Sequence, residues 1–397
     1  MKRIILFAAI AAVAIVGIIS SCGGGKIEVS ADSTTAQKNV ALPSLDVFIE
    51  NSGSMDGYMC SGSQLKDAVY DYVSDLNRST DTTRLYYINS QVIPYHDNLQ
   101  SYIKDLNPSK FQQSGGNRTS SDLGEIIGMV LSRVNENTVC MFVSDCILDL
   151  PSKDAHKFLT HRGISIKDDV INAMKRIPDL GVEILKLTSN FDGKYFYPNG
   201  AVEQLSNVER PYYIWIFGNK YQIAMLNKKV PLQRLVKYNL EGIVAFTGES
   251  MLPYEIKNSN LTNGVVNEKN GRYEATIRAD FSGTLQPDGN VQDKSNYSFH
   301  RQGISVEAVR PISDKNSPYT HYVNISIPKD VKIIEEELIF NSPKMPKWVN
   351  ASNDETGMNV TSNLDKTTGI KYLIQGVADA YRDEKVSSKM KFKINNI

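Results

Sequence analysis

A loop with two serines follows the first strongly apolar segment after the N-terminal region, residues 45–49. It reads Glu50-Asn51-Ser52-Gly53-Ser54. Two hydroxyls spaced by a glycine can turn their oxygens toward one point, and hard cations such as Mg²⁺ bind oxygen ligands at about 2.1 Å in octahedral geometry. This spacing therefore predicts a cation site. Ordinary turn chemistry, in which serine stands beside glycine, is the alternative.

Two further polar segments could complete such a site. Residues 114–122 (SGGNRTSSD) form a polar loop that contains Thr119 and precedes a predicted helix. Asp145 directly follows the apolar segment 138–144. Because ligands bind outside the carboxyl ends of the strands in open α/β sheets, we expect hydroxyls and carboxylates from three loops to meet at one sheet edge.

Alternating strands and helices are expected to position these loops. Short apolar runs predict strands at residues 45–49, 84–89, 138–144, 182–187 and 212–217. Apolar residues at helical spacing predict helices at 65–76, 123–134 and 170–177. Repeated β-α-β units of this kind predict an α/β domain over residues 43–240, with a doubly wound, mostly parallel sheet and helices on both faces.

The pattern changes to period two after about residue 241. Apolar and polar residues alternate at 273–281, 304–308, 323–327 and 390–394. Such strands predict a mainly β, sandwich-like domain over residues 241–397. One helix, at residues 370–381, interrupts it.

The order and spacing of the polar residues resemble the metal-ion-dependent adhesion site (MIDAS) of the von Willebrand factor A family. That site has Asp-x-Ser-x-Ser after the first strand, a Thr from a second loop and an Asp after a later strand. The matching positions are Glu50, Ser52, Ser54, Thr119 and Asp145. The resemblance covers about residues 43–235 and implies the Rossmann-type sheet of that family.

This resemblance also implies a function, in which a carboxylate of a partner protein completes the coordination of a bound cation. The expected cation is Mg²⁺, with Mn²⁺ or Ca²⁺ as substitutes. Two positions depart from the family pattern, since Glu50 stands where Asp is usual and Cys146 where Gly is common. Ser120 and Ser121 are rivals of Thr119 as the third hydroxyl ligand. The alternative function is a metal-independent structural or assembly component of an envelope complex.

The N-terminal segment resembles the export signal of a bacterial lipoprotein. Two basic residues precede an uncharged, almost wholly apolar run at 4–19, which is slightly short for a membrane span. Small residues then precede Cys22, as in a lipobox, which implies a signal peptide at 1–21 and lipid attachment to Cys22. We expect an exported protein anchored to the cell membrane or outer membrane, with a flexible tether at 22–42. An uncleaved anchor is the alternative.

Two cysteines lie close to the predicted site in the sequence. Cys60 follows the serine loop and Cys146 follows Asp145. Because disulfides persist outside the cytoplasm, a bridge between these cysteines is a candidate, with two free thiols as the alternative. Cys140, inside a predicted strand, is expected to be an ordinary buried residue.

Composition and motifs argue against other function classes. The 44 basic residues are balanced by 44 acidic ones without a long run of like charge, so nucleic acid is not an expected partner. No catalytic residue is predicted, and we do not expect an enzyme. Ser52 lacks the glycine two positions earlier that a nucleophile elbow has, and His156 and His161 are five residues apart rather than the four of a helical zinc pair.

Overall fold

A computed structural model describes most of the chain. The described residues are 26–31, 40–118, 122–151, 153–256, 265–314, 316–331, 334–341, 344–383 and 387–396. Cys22, Thr119, Ser120 and Ser121, on which predictions fell, lie outside them.

The described residues form strands and helices throughout. The strands are β1 (Lys26–Ala31), β2 (Ser44–Glu50), β3 (Thr83–Ile88), β4 (Val92–Tyr95), β5 (Thr138–Ser144), β6 (Leu180–Phe196), β7 (Val202–Asn219), β8 (Leu240–Thr247), β9 (Ser250–Met251), β10 (Tyr254–Ile256), β11 (Val265–Lys269), β12 (Arg272–Ala279), β13 (Tyr297–Phe299), β14 (Ser305–Pro311), β15 (His321–Pro328), β16 (Ile334–Asn341), β17 (Asn353–Asp354), β18 (Thr367–Thr368) and β19 (Ser387–Asn396). The helices are α1 (Gln64–Asn77), α2 (Leu99–Lys104), α3 (Pro108–Gln112), α4 (Leu123–Arg133), α5 (Ala155–Arg176), α6 (Lys220–Lys229), α7 (Asp288–Gln292), α8 (Lys347–Ala351) and α9 (Ile370–Asp383).

The first sheet has the order β4-β3-β2-β5-β7-β6-β8 within the described chain. Strand β2 pairs in parallel with β3 and β5, but the other four pairings are antiparallel. The prediction of a doubly wound, mostly parallel, Rossmann-type sheet is therefore wrong. The reason lies between β6 and β7, where only residues 197–201 join the two strands. A parallel pair needs a crossover of about a dozen residues or more, so this short connection makes the pair antiparallel.

Helices cover both faces of this sheet, as expected. The apolar stripe of α1 packs with that of α6 in one buried cluster, and the stripes of α4, α5 and α9 pack in a second cluster on the opposite face. The stripes of α1 and α4 fall at the predicted i, i+3, i+4 spacing. Because β2 and β5 lie between the two layers, nearly every side chain in them is buried. Each fully buried aliphatic side chain contributes roughly 1.5–3 kcal/mol to the free energy of unfolding. The burial of β2 and β5 therefore holds the ends of these strands in place.

The second sheet departs from the predicted sandwich. Within the described residues it is one continuous path, β13-β16-β19-β1-β11-β12-β15-β14, with β9 and β10 paired at its side. Alternate residues of its strands form a single buried cluster. Strand β1 lies inside the segment predicted as a flexible tether, and it pairs with both β11 and β19. Its Ile27 and Val29 are fully buried.

Helix α9 lies in the C-terminal region but packs on the first sheet. Its Gly376 lies so close to Gly163 of α5 that an added Cβ would be 2.4 Å from the Gly163 carbonyl oxygen. The Tyr381 hydroxyl donates a 3.0 Å hydrogen bond to the Leu180 carbonyl, at the start of β6. Among the described residues, no helix has the length and apolar character needed to cross a membrane.

Candidate metal centre

The ends of β2 and β5 bring two acidic residues together. The strands are parallel neighbours with Ile49 opposite Val143, so Glu50 and Asp145 follow at the same edge of the sheet. Both side chains are almost completely buried. The edge is the carboxyl end of the strands, where the sequence placed the site.

Glu50 is held by β5. The Ser144 hydroxyl donates a short hydrogen bond to Glu50 Oε2, and the same hydroxyl accepts a 2.7 Å hydrogen bond from the Cys146 amide. These bonds give Glu50 a structural role that the sequence did not indicate, because they join the ends of β2 and β5 directly.

Ser52, Ser54 and Asp145 supply the other oxygens of the edge. The two serine hydroxyl oxygens lie 3.0 Å apart. Asp145 Oδ1 accepts a 3.2 Å hydrogen bond from the Ile147 amide and the Ser54 hydroxyl interacts with the same carboxylate, whereas the buried Asp145 Oδ2 makes no hydrogen bond of standard geometry. A buried carboxylate oxygen without a full set of partners is costly, so Oδ2 is an atom that a cation or a water could satisfy.

The pKa of Asp145 is also consistent with a bound cation. Burial raises the pKa of Asp145, while the nearby Ser54 hydroxyl, the Ile147 amide and the positive charge of Arg210 lower it. Arg210 is itself buried on β7 and donates to the carbonyls of Asn363 and Leu364. A cation bound at Asp145 would offset the cost of burying its charge.

Residues of the second polar loop contact the first loop. Arg118 donates a 2.7 Å hydrogen bond to Asn51 Oδ1 and a 3.0 Å hydrogen bond to the Ser52 carbonyl, and the Gly53 amide donates to the Arg118 carbonyl. Gly116 has a φ of +71°, and a Cβ there would be 2.0 Å from Asn89 Oδ1. Only glycine therefore lets this loop approach the end of β3. Thr119, the next predicted ligand, lies outside the described residues.

A long two-stranded ribbon borders the site, and the sequence did not reveal it. β5 pairs with β7 only up to Tyr213, and β8 pairs with β6 only up to Leu187, so residues 188–211 extend beyond both neighbours. We call this segment the β6–β7 ribbon. It packs on the 3₁₀ segment Ser54–Met59, where the Tyr58 hydroxyl donates a 2.5 Å hydrogen bond to the Pro211 carbonyl. The Pro198-Asn199-Gly200 turn was the signal in the sequence that could have found it.

The candidate disulfide is not present. Cys60, Cys140 and Cys146 are free thiols. Cys146 belongs to the apolar cluster on the α4 and α5 face, whereas Met59, next to Cys60, belongs to the cluster on the opposite face. The sheet thus separates the two thiols. Cys146 also has a φ of +55°, a left-handed conformation that favours the glycine expected from the family pattern.

The spacing of these oxygens is compatible with a divalent cation, but few of the groups at this edge are charged ligands. The two serine hydroxyls share a 3.0 Å hydrogen bond, and adjacent ligands of an octahedral Mg²⁺ at about 2.1 Å are also about 3.0 Å apart, so both oxygens could bind one cation without separating. In the described part of the chain, no group of three or more His, Cys, Asp or Glu side chains is placed to hold a metal ion. A cation here would therefore depend on serine hydroxyls and Asp145, and would keep several waters.

Comparison of the chain with models of known protein families, with curated proteins and with solved structures gives no match.

Proposed function

We propose that this protein binds a protein ligand through a divalent cation, Mg²⁺ or its substitutes Mn²⁺ and Ca²⁺, held at the edge formed by Ser52, Ser54 and Asp145. A carboxylate of the ligand would replace one of the waters on the cation, because Mg²⁺ retains exchangeable waters when few protein groups bind it. Glu50 would act from the second layer, through Ser144.

One observation carries this proposal. The buried Asp145 carboxylate lies beside the Ser54 hydroxyl, one of its oxygens makes no standard hydrogen bond, and the Ser54 oxygen lies 3.0 Å from that of Ser52. Buried carboxylate oxygens nearly always have partners, and a divalent cation is a partner that neighbouring oxygens can share.

The test is a calorimetric titration of the protein with Mg²⁺ and Mn²⁺. We expect one site per chain, lost in Ser52→Ala and in Asp145→Asn. Ser132→Ala is the matched control, since Ser132 is an exposed serine of α4 that bonds only to the Met129 carbonyl. The absence of binding at millimolar Mg²⁺ would favour the alternative, a metal-independent structural component of an envelope complex.

We also propose that the protein is exported and anchored by lipid at Cys22, in the cell membrane or outer membrane. The lipobox-like sequence supports this proposal, and several acyl chains hold a protein on a membrane stably. Fatty-acid labelling should disappear in Cys22→Ala and persist in Cys60→Ala. Equal labelling of the two variants would contradict the anchor.

A further inference from the structure

The tip of the β6–β7 ribbon carries two exposed apolar side chains. Phe196 is 48% exposed and Val202 is 53% exposed. They are cross-strand partners in the ribbon, so their side chains share one face. The pair forms a small exposed apolar patch, and covering it with another apolar group would be favourable.

The tip lies directly against the serine loop. A Cβ added to Gly53, between the two candidate serine ligands, would be 3.4 Å from Phe196 Cε2. The register explains this placement, because the ribbon extends past Ser144 at the carboxyl end of β5. The ribbon is seated by Gly193, whose added Cβ would be 2.5 Å from Gly57 Cα. The aromatic tip therefore borders the candidate metal centre.

The charges near the tip indicate which kind of partner surface could bind it. Residues 195–202 (YFYPNGAV) carry no charged side chain. Near them, Lys194 is outnumbered by Asp192 and Glu203. Binding to an anionic membrane surface uses clusters of basic residues, which this tip lacks. An uncharged apolar tip beside a cation instead complements an apolar side chain beside a carboxylate.

We propose that the ribbon tip and the cation form one recognition surface for a protein segment that presents an Asp or Glu next to a bulky apolar residue. This inference rests on the proposed cation site and goes beyond it, because it assigns the specificity for the neighbouring residue to Phe196 and Val202. The carboxylate binds the cation, and the apolar side chain covers the exposed face of the tip.

The experiment selects ligands from a random seven-residue peptide library on phage, against the immobilised protein in Mg²⁺ and in EDTA. We expect Mg²⁺-dependent peptides that contain Asp or Glu with Leu, Ile, Phe or Met within two positions. The double variant Phe196→Ser/Val202→Ser should bind the selected peptides about tenfold more weakly while it binds Mn²⁺ as the wild type does. Val236→Ser is the matched control, since Val236 is 60% exposed and lies in the 3₁₀ segment Leu232–Tyr238, outside the ribbon tip.

Each other outcome overturns the inference in a recognisable way. Three results would contradict the recognition surface: selected peptides that have a carboxylate but no apolar preference, undiminished binding by the double variant, or no Mg²⁺-dependent peptide at all. In each case, Mn²⁺ binding by the wild type would still support the cation site. A wild-type protein that does not bind Mn²⁺ would instead contradict the proposed function itself. If, in a Cys22→Ser background, phosphatidylglycerol vesicles bind the wild-type tip and not the double variant, the tip contacts a membrane rather than a protein.

Discussion

Asp145 is the residue on which the candidate metal centre depends most. It is buried beside the Ser54 hydroxyl, its Oδ2 makes no hydrogen bond of standard geometry, and its pKa is raised above the ordinary 3.8 mainly by burial. A group whose pKa is raised in the folded state binds its proton more tightly there, so without a cation its contribution to stability falls as the pH rises through that range. A cation and a proton then compete for the same carboxylate.

This competition predicts a pH-dependent stabilisation by Mg²⁺. At neutral pH, Mg²⁺ at ten times its dissociation constant should add about 1.4 kcal/mol to the free energy of unfolding. The gain should shrink as the pH falls toward the pKa of Asp145 and should be absent in Asp145→Asn. Urea unfolding with and without Mg²⁺ at several pH values measures it. A gain that is equal at all pH values and in the variant would exclude Asp145 as a ligand.

Glu183 provides a second pH effect, away from the site. Burial raises the pKa of Glu183 to about 7 from the ordinary 4.5, against the hydrogen bonds that Asn227 donates to both carboxylate oxygens. Between pH 4.5 and 7 the folded state binds the extra proton, so stability falls as the pH rises across this window. Glu183→Gln should therefore stabilise the protein by up to about 3 kcal/mol at pH 8 and by little at pH 4. Urea unfolding at the two pH values tests this, and an equal effect at both would contradict it.

Part of the candidate site could be predicted from residue order alone. Ser54 and Asp145 lie close together because each follows an apolar strand, and strand ends share an edge. The bond from Ser144 to Glu50 could not be predicted, because it depends on the side-chain direction of the last residue in β5. The role of Arg118 was missed for a similar reason, since its three acceptors come from another loop.

At the scale of elements, the contact between α5 and α9 joins the C-terminal region to the first sheet. Gly376→Ala should destabilise the protein by roughly 1–3 kcal/mol, because the added methyl group would be 2.4 Å from the Gly163 carbonyl oxygen. Gly128→Ala is the control, a helical glycine of α4 whose added Cβ would be at an ordinary 3.4 Å from Asp169. We expect that variant to be neutral or more stable, since alanine favours helix. Thermal unfolding compares the two, and equal effects would show that the close approach is not needed.

The elements that the sequence predicts correctly are those that bury a continuous apolar face. α1, α4 and α9 each carry a helical stripe, and β2 and β5 are apolar throughout. The β6–β7 ribbon lacks such a pattern. Its strands are interrupted by a register shift between Phe191 and Gly193, and it packs on the 3₁₀ segment at Ser54–Met59 and on the first residues of α1. Its length therefore depends on a tertiary contact that a local pattern does not contain.

At the scale of the whole molecule, β1 changes how a lipid anchor would hold the protein. β1 begins at Lys26, pairs with β11 and β19, and buries Ile27 and Val29. Four residue steps separate Cys22 from Lys26, and a fully extended chain spans at most about 3.6 Å per residue. A lipid on Cys22 would therefore hold the near end of the second sheet within about 15 Å of the membrane surface, rather than at the end of a tether of twenty residues.

This geometry predicts that the position of an added linker matters. A fluorophore at position 395, which pairs with Glu28 of β1, should transfer energy strongly to acceptor-labelled lipids. Fifteen Gly and Ser residues inserted between Cys22 and Lys26 should reduce that transfer, because a flexible linker of this length adds a mean distance of roughly 20 Å. The same insertion after Ala31 should leave the transfer unchanged, since β1 already holds the second sheet near the membrane. Equal reductions from both insertions would show that residues 22–42 act as one flexible tether and that β1 does not fix the sheet.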